Sequence, residues 1–412
     1  MNNSSAAPDD HEAPVPWRIQ WAVYGAGLFS NSSLNLYNVV VPLWIVLLQP
    51  SPFMIGIAIG SRQVLPMLFS IHGGALMDRL GTRRVMLVFA GTAVFIPLLY
   101  PLLPSMPAII VLQMMGGFTV MMCWVGAQSF IGHTMKGNPT YAGRLTVATR
   151  LGGFAGPPLV GLLWDLAGHW GAFGFMTFWA LGTFVSTLLL PADSVEPEET
   201  TDGVTRTPRG LSRLLPRWGD YVSAFSLMAI PAIALVMAAT LLRHSSTGMQ
   251  SSFYVVYLNQ VGITGTAIGV LFSLAGLFGG VGSLSVGWLA RRIAQRALLL
   301  SAVAVLVLMI TITPLLGTFV LLAIAMAGRG MFSGVAQAME IALIAQSAGR
   351  AAQAKGAALR LTVGRIAAVI VPVLMGAIAE FVGLEMAFYL VGGTILFCIA
   401  LLAMRPARNQ TS

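Results

Sequence analysis

Five arginines sit inside long apolar runs of this chain: Arg62, Arg150, Arg243, Arg329 and Arg365. One acid, Glu340, lies equally far from any polar stretch. A charge at a bilayer centre costs about 2.5–3.5 kcal/mol on insertion scales, so these groups are expected to face a wet cavity or a partner. Glu340 and Arg365 fall at one expected depth and read as an ion pair, with Gln128 and Arg150 as a hydrogen-bonded counterpart. Arg62, Arg243 and Arg329 fall nearer the middle of their runs and have no evident acid. Three such cations repel one another unless an anion joins them, and a planar guanidinium forks onto carboxylate or phosphate oxygens. The expected chemistry is recognition of a small anionic solute. Asn31, Asn35 and Asn38 share one helical face, with Tyr37 adjacent, and Thr247, Gln250 and Tyr254 continue the face of Arg243. These complete the expected binding residues.

Two groups are candidates for a coupling proton. Glu340 is a structural ion-pair member if Arg365 stays beside it, and a proton carrier if solute or motion separates them. His244, next to Arg243, is the alternative, because an unperturbed imidazole titrates near about 6.5.

The elements that must position these residues follow from composition. The chain has 412 residues, 57% hydrophobic and 9% charged, with mean hydropathy +0.82. A soluble domain carries about 25% charged residues, so a water-soluble enzyme is excluded. No P-loop, G-x-S-x-G, H-E-x-x-H or dinucleotide fingerprint is present. Cys123 and Cys398 provide no disulfide framework and no metal spacing, and no cofactor or metal is expected. The polar segment Met1–Pro16 does not read as a signal peptide.

At about 20 apolar residues per spanning helix, the chain reads as twelve spans. They are 21–48, 53–77, 85–103, 107–132, 144–166, 172–190, 222–257, 266–289, 297–315, 318–346, 361–381 and 385–404. The expected organisation is a tail (1–20), a six-helix half (21–190), a linker (191–220), a second six-helix half (221–404) and a C-terminal tail (405–412). Arginines and lysines fill alternate loops and both tails, while the intervening loops have none. Positive loops stay inside, so both termini are expected in the cytoplasm of an inner-membrane protein. The excess of 23 basic over 14 acidic residues is read this way, and no nucleic-acid partner is expected.

The halves repeat each other. Ile55, Gly56 and Gly74 reappear 213 residues later as Ile268, Gly269 and Gly287. Arg150, Pro157, Gly161, Asp165 and Gly168 reappear 215 later as Arg365, Pro372, Gly376, Glu380 and Gly383. Repeated membrane halves place a solute site near the midplane between them.

The loop after span 2 runs Gly74-x-x-x-Asp78-Arg79-x-Gly81-x-Arg83-Arg84. It resembles the G-x-x-x-D-R-x-G-x-R-R loop of the major facilitator superfamily. The resemblance extends over the chain through the twelve spans and central linker, and implies an all-α membrane fold of two six-helix bundles that rocks between inward-open and outward-open states. It makes this loop a gate, with Asp78 at the N-terminus of a neighbouring helix, span 11 by expectation. Span 5 carries Gly143-x8-Gly152-x3-Gly156-Pro157-x2-Val160-Gly161, similar to the antiporter motif of proton-coupled drug exporters except for Val160. The expectation is a secondary carrier of a small organic anion, acting as a monomer in the bilayer by exchange or proton coupling. The alternative is a proton-coupled multidrug or natural-product efflux antiporter.

Overall fold

The computed structural model describes residues 15–135, 138–191, 226–347 and 350–404. Within these, the side chains at 70–72, 74, 75, 78, 139, 226, 227, 347, 350–355, 357 and 358 are left undescribed. The described chain is α-helical, with no strand.

Span 1 is Trp17–Leu47. Span 2 is two helices, Pro52–Ser61 and Val64–Leu80, broken at Arg62 and Gln63. The break has a local cause: Pro66 lacks the N–H that the Arg62 carbonyl would accept. Span 3 is Thr82–Leu102 and span 4 is Met106–His133. Spans 5 and 6 form one run, Pro139–Leu188, parted at Gly168 with φ 64° and ψ −159°. A left-handed φ of that kind suits glycine. Span 7 is Pro231–Met249, a π turn at Gln250–Tyr254, and Val255–Gln260. Span 8 is Gly265–Leu289, span 9 Gln295–Thr311, span 10 Phe319–Ser347, span 11 Arg350–Val382 and span 12 Leu384–Met404.

Eight described helical stretches are long and apolar enough to cross a bilayer, one of them running through the break in span 2 and another holding both spans 5 and 6. The other three passes fall short for identifiable reasons. Span 9 has 17 residues, span 7 is interrupted by its π turn, and span 1 is diluted by Ser30, Asn31, Ser32, Ser33, Asn35 and Asn38. Large apolar side chains such as Phe95, Phe178, Leu284, Phe381 and Phe397 are exposed on the outside, as lipid contact requires.

The halves meet along spans 2 and 11 and along spans 5 and 8. Glycines bring these backbones together. A methyl at Gly56 would lie 2.3 Å from the Pro372 carbonyl oxygen, and one at Gly269 would lie 2.2 Å from that of Pro157. The expected linker beyond Pro191, the C-terminal tail and residues 1–14 lie outside the described residues.

Candidate functional site

The C-terminal half builds a charged centre on one carboxylate. Glu340 on span 10 is fully buried, with 0% exposure. Arg243 on span 7 forks onto it, Nε donating to Oε1 at 2.8 Å and Nη2 to Oε2 at 3.1 Å. Arg360 on span 11 donates from Nη1 to Oε2 at 3.3 Å. Planar bidentate pairing of this kind is the strong form of the interaction. The His244 Nδ1 lies 2.9 Å from the Thr240 carbonyl oxygen, and Nε2 lies 3.5 Å from Arg243 Nη2. Both contacts are satisfied by one neutral tautomer, with the proton on Nδ1 and Nε2 accepting.

This geometry corrects two expectations. Glu340 pairs with Arg243 and Arg360, not with Arg365, and Arg243 is therefore not an unpartnered cation. Two physical reasons apply. The first helix of span 7 begins at Pro231 rather than 222, which carries Arg243 toward the arginine-rich end of the bundle, level with Glu340. On span 11, Arg360 and Arg365 are five residues apart, which turns them about 140° from each other at roughly 100° per residue. With Arg360 facing span 10, Arg365 faces the other half and donates to the Pro66 carbonyl of span 2 at 2.6 Å. The expected Gln128–Arg150 bond is also absent. Both side chains are exposed, and Arg150 donates across the half interface to the Gly276 carbonyl of span 8 at 3.4 Å.

One buried cation in each half has no carboxylate beside it among the described residues. Arg62, 5% exposed at the break in span 2, donates from Nη2 to Asn38 Oδ1 of span 1, and its Nε has no hydrogen-bond partner. Tyr37 and Tyr100 lie within electrostatic reach of it, and Tyr100 donates to Gln113 Oε1 at 3.3 Å. Two glycines on span 4 make the room. A methyl at Gly117 would lie 2.0 Å from the Arg62 carbonyl oxygen, and one at Gly116 would lie 3.2 Å from the Tyr37 hydroxyl. In the other half, Arg329 on span 10 is also 5% exposed. Its Nη2 donates to Thr247 Oγ1 at 3.5 Å, and its Nε is unpartnered. The Tyr254 hydroxyl, within electrostatic reach of Arg329, is buried without a partner. Gln250 reaches Met326 Sδ of span 10 at 3.9 Å.

The remaining expected residues scatter. Asn31 and Asn35 are half-buried on span 1, where Asn35 faces Gly153 of span 5. Of the span 5 motif, Gly152 and Gly156 pack on span 1, while Pro157 and Gly161 pack on span 8. In the gating loop, Gly81 ends the span 2 helix at φ 88°, and Arg83 donates to the Leu188 carbonyl at 2.9 Å. Arg79 and Arg84 are exposed; the surroundings of Gly74 and the side chain of Asp78 lie outside the described residues. Sequence reasoning missed Arg360, which it assigned to a loop, and Tyr100. An early start to span 11, signalled by the alanine-rich stretch from Arg350, would have found the first.

The Major Facilitator Superfamily model matches residues 23–258 and 236–412. The chain is 25% identical over 336 residues to the enterobactin exporter EntS of Escherichia coli O1:K1 / APEC, covering 78% of this chain and 76% of the relative. EntS of Citrobacter koseri is 26% identical over 333 residues, with the same coverage. Among solved structures, the nucleoside transporter NupG superposes with a TM-score of 0.74 at 13% identity, over 96% of this chain and 100% of that one. A bacterial homologue of the human lysosomal transporter Spinster, inward-facing and unoccupied, superposes with a TM-score of 0.67 at 13% identity, over 95% and 96%. Such low identities carry the fold alone; with the family match along nearly the whole chain, they agree with the twelve-pass architecture. The chain belongs to the Major Facilitator Superfamily, and it is an integral membrane transporter of small-molecule solutes, not an enzyme.

Proposed function

We propose that this transporter carries a small organic solute with at least one anionic group, gripped between Arg62 of one half and Arg329 of the other. The observation that supports this is the pair of buried guanidiniums, each with an unpartnered Nε and, among the described residues, no carboxylate alongside. A buried cation without a counter-charge is costly, and an anion arriving between the halves relieves both costs at once. Arg243 keeps Glu340 and does not join this grip. Tyr37, Tyr100, Gln113, Asn38, Thr247 and Tyr254 provide the remaining polar contacts.

Direction and coupling belong to the same proposal. The exporter relatives and the glycine-proline motif of span 5 favour export across the inner membrane, with both termini cytoplasmic and one chain sufficient. Glu340 is the acid available for coupling. It takes a proton only when movement of span 7 or 11 draws Arg243 and Arg360 away. The second reading, proton-coupled efflux of natural products or drug-like molecules, rests on those relatives and that motif and does not require a charged solute.

A thermal-shift panel of carboxylates, a phosphate monoester and quaternary ammonium dyes separates the two. Ligand stabilisation follows the logarithm of concentration over Kd. Anions alone should stabilise the wild type, and Arg62→Gln and Arg329→Gln should each lose the shift. Stabilisation by the dyes that survives both substitutions overturns the anion reading.

A further inference from the structure

The end of the bundle remote from the arginine-rich loops is closed by two acids that each cross from one half to the other. Asp165, at the end of span 5, accepts the backbone N–H of Gly265 and of Thr266, both at 2.8 Å, and the Thr266 hydroxyl at 2.6 Å. These donors are the first turn of span 8. Glu380, at the end of span 11, accepts the backbone N–H of Phe53 at 2.9 Å, in the first turn of span 2. The two acids are 215 residues apart and their partners, Phe53 and Thr266, 213 apart, so one contact is the repeat image of the other.

The match extends to the capping chemistry. Ser51 and Thr264 cap their own helices, accepting from Met54 N and Ala267 N. The carboxylate from the opposite half takes donors left over at that helix start, where the helix also presents positive charge. Glu380 makes fewer bonds because Pro52 stands where Gly265 does and has no N–H to give. Just inside each carboxylate the backbones touch. A methyl at Gly161 would lie 2.1 Å from the Gly265 carbonyl, and one at Gly376 would lie 2.5 Å from that of Pro52. Next come the Gly269–Pro157 and Gly56–Pro372 approaches. Every one of these contacts joins one half to the other.

We propose that Asp165 and Glu380 are paired clasps that hold this end shut, and that both must release before it can open. The carboxylate bonds and the glycine approaches cross between the halves, so two bodies that separate at this end must break them together. The N-terminal half holds the C-terminal half through three bonds and the reverse clasp has one, so Asp165 is the stronger clasp. The inference follows from the two-body fold and does not depend on which solute is carried.

The test measures a distance and uses no solute. Spin labels are placed at Leu103→Cys and Val261→Cys, exposed loop positions of opposite halves at this end, in a Cys123→Ala, Cys398→Ala chain in nanodiscs. The unsubstituted clasps should give a dominant short distance. Asp165→Ala should move population to a longer distance, Glu380→Ala should move less, and the double variant most. Asp165→Asn and Glu380→Gln keep the shapes and remove the charges, so they provide the reading if the alanine variants do not fold. Gly269→Ala leaves both carboxylates in place and wedges the interface, and should shift the population in the same direction. A lowered Tm with unchanged distances in the folded variants would show that the acids are ordinary helix caps and would overturn the proposal.

Discussion

The two halves of this transporter share a backbone plan but treat buried charge in opposite ways. In the C-terminal half, Glu340 is held by two guanidiniums, and its centre is structurally complete. In the N-terminal half, Arg62 has an amide, two phenols within reach and, among the described residues, no acid. The contacts that close the half interface are repeated almost residue for residue, whereas the polar interior is not. The repeat therefore preserves the machinery of rocking and frees the interior to become asymmetric, as a solute without two-fold symmetry requires. Arg329 shows that the asymmetry is not simply one charged half and one neutral one. It lies within electrostatic reach of Arg243, yet receives none of the Glu340 charge through a hydrogen bond.

The most severe way to break this contrast is to remove the acid. Glu340→Ala leaves Arg243 and Arg360 buried without compensation, and should cost about 3–5 kcal/mol of stability. Arg62→Gln removes a cation that has no carboxylate to orphan. It should cost about 1 kcal/mol or less, because the lost bond to Asn38 is offset by relief of a buried charge. Denaturant unfolding of the two variants in detergent compares them directly. Equal losses would mean that Arg62 has a fixed counter-charge after all.

Within the charged centre, the two arginines are expected to differ. Arg243 makes two bonds to Glu340 and its side chain is 8% exposed; Arg360 makes one longer bond and is 14% exposed. Arg243→Gln should therefore destabilise by about 3 kcal/mol, in the range for breaking a buried pair. Arg360→Gln should cost about 1.5 kcal/mol, near the lower range for a hydrogen bond to a charged group. If the order reversed in thermal unfolding, Arg360 would be the anchor and Arg243 the group released during transport.

The fold is largely legible in the sequence, because apolar run length, loop charge and repeated glycines each report a local fact. Breaks in the spans were less so. Pro66 was visible, but its consequence at Arg62 depends on helix register, and the π turn at Gln250–Tyr254 leaves no mark in the hydrophobic pattern. Which arginine meets Glu340 was not legible. Partner choice depends on the rotation of span 11 about its axis, and a turn of about 140° separates Arg360 from Arg365. Asp165 and Glu380 stood at matching positions of the repeat, a signal that they were doing the same thing. What they bind, the first turn of a helix in the opposite half, follows only once spans 5 and 8, and 11 and 2, are known to touch.

The smallest predicted difference lies between two arginines that the repeat makes equivalent. Arg365 and Arg150 both reach a main-chain carbonyl of the opposite half, Pro66 of span 2 and Gly276 of span 8. Arg365 does so at 2.6 Å and half-buried; Arg150 does so at 3.4 Å and exposed. A shorter separation and lower solvent exposure both strengthen a charge-assisted hydrogen bond, so the images should not be energetically equal. Arg365→Gln is expected to cost about 1 kcal/mol, and Arg150→Gln to fall within about 0.5 kcal/mol of wild type, as exposed substitutions usually do. Differential thermal unfolding of the two variants resolves a gap of that size if several matched preparations are averaged. A larger loss at Arg150 would place the firmer cross-half hold on the span 5 side, the same helix that carries Asp165.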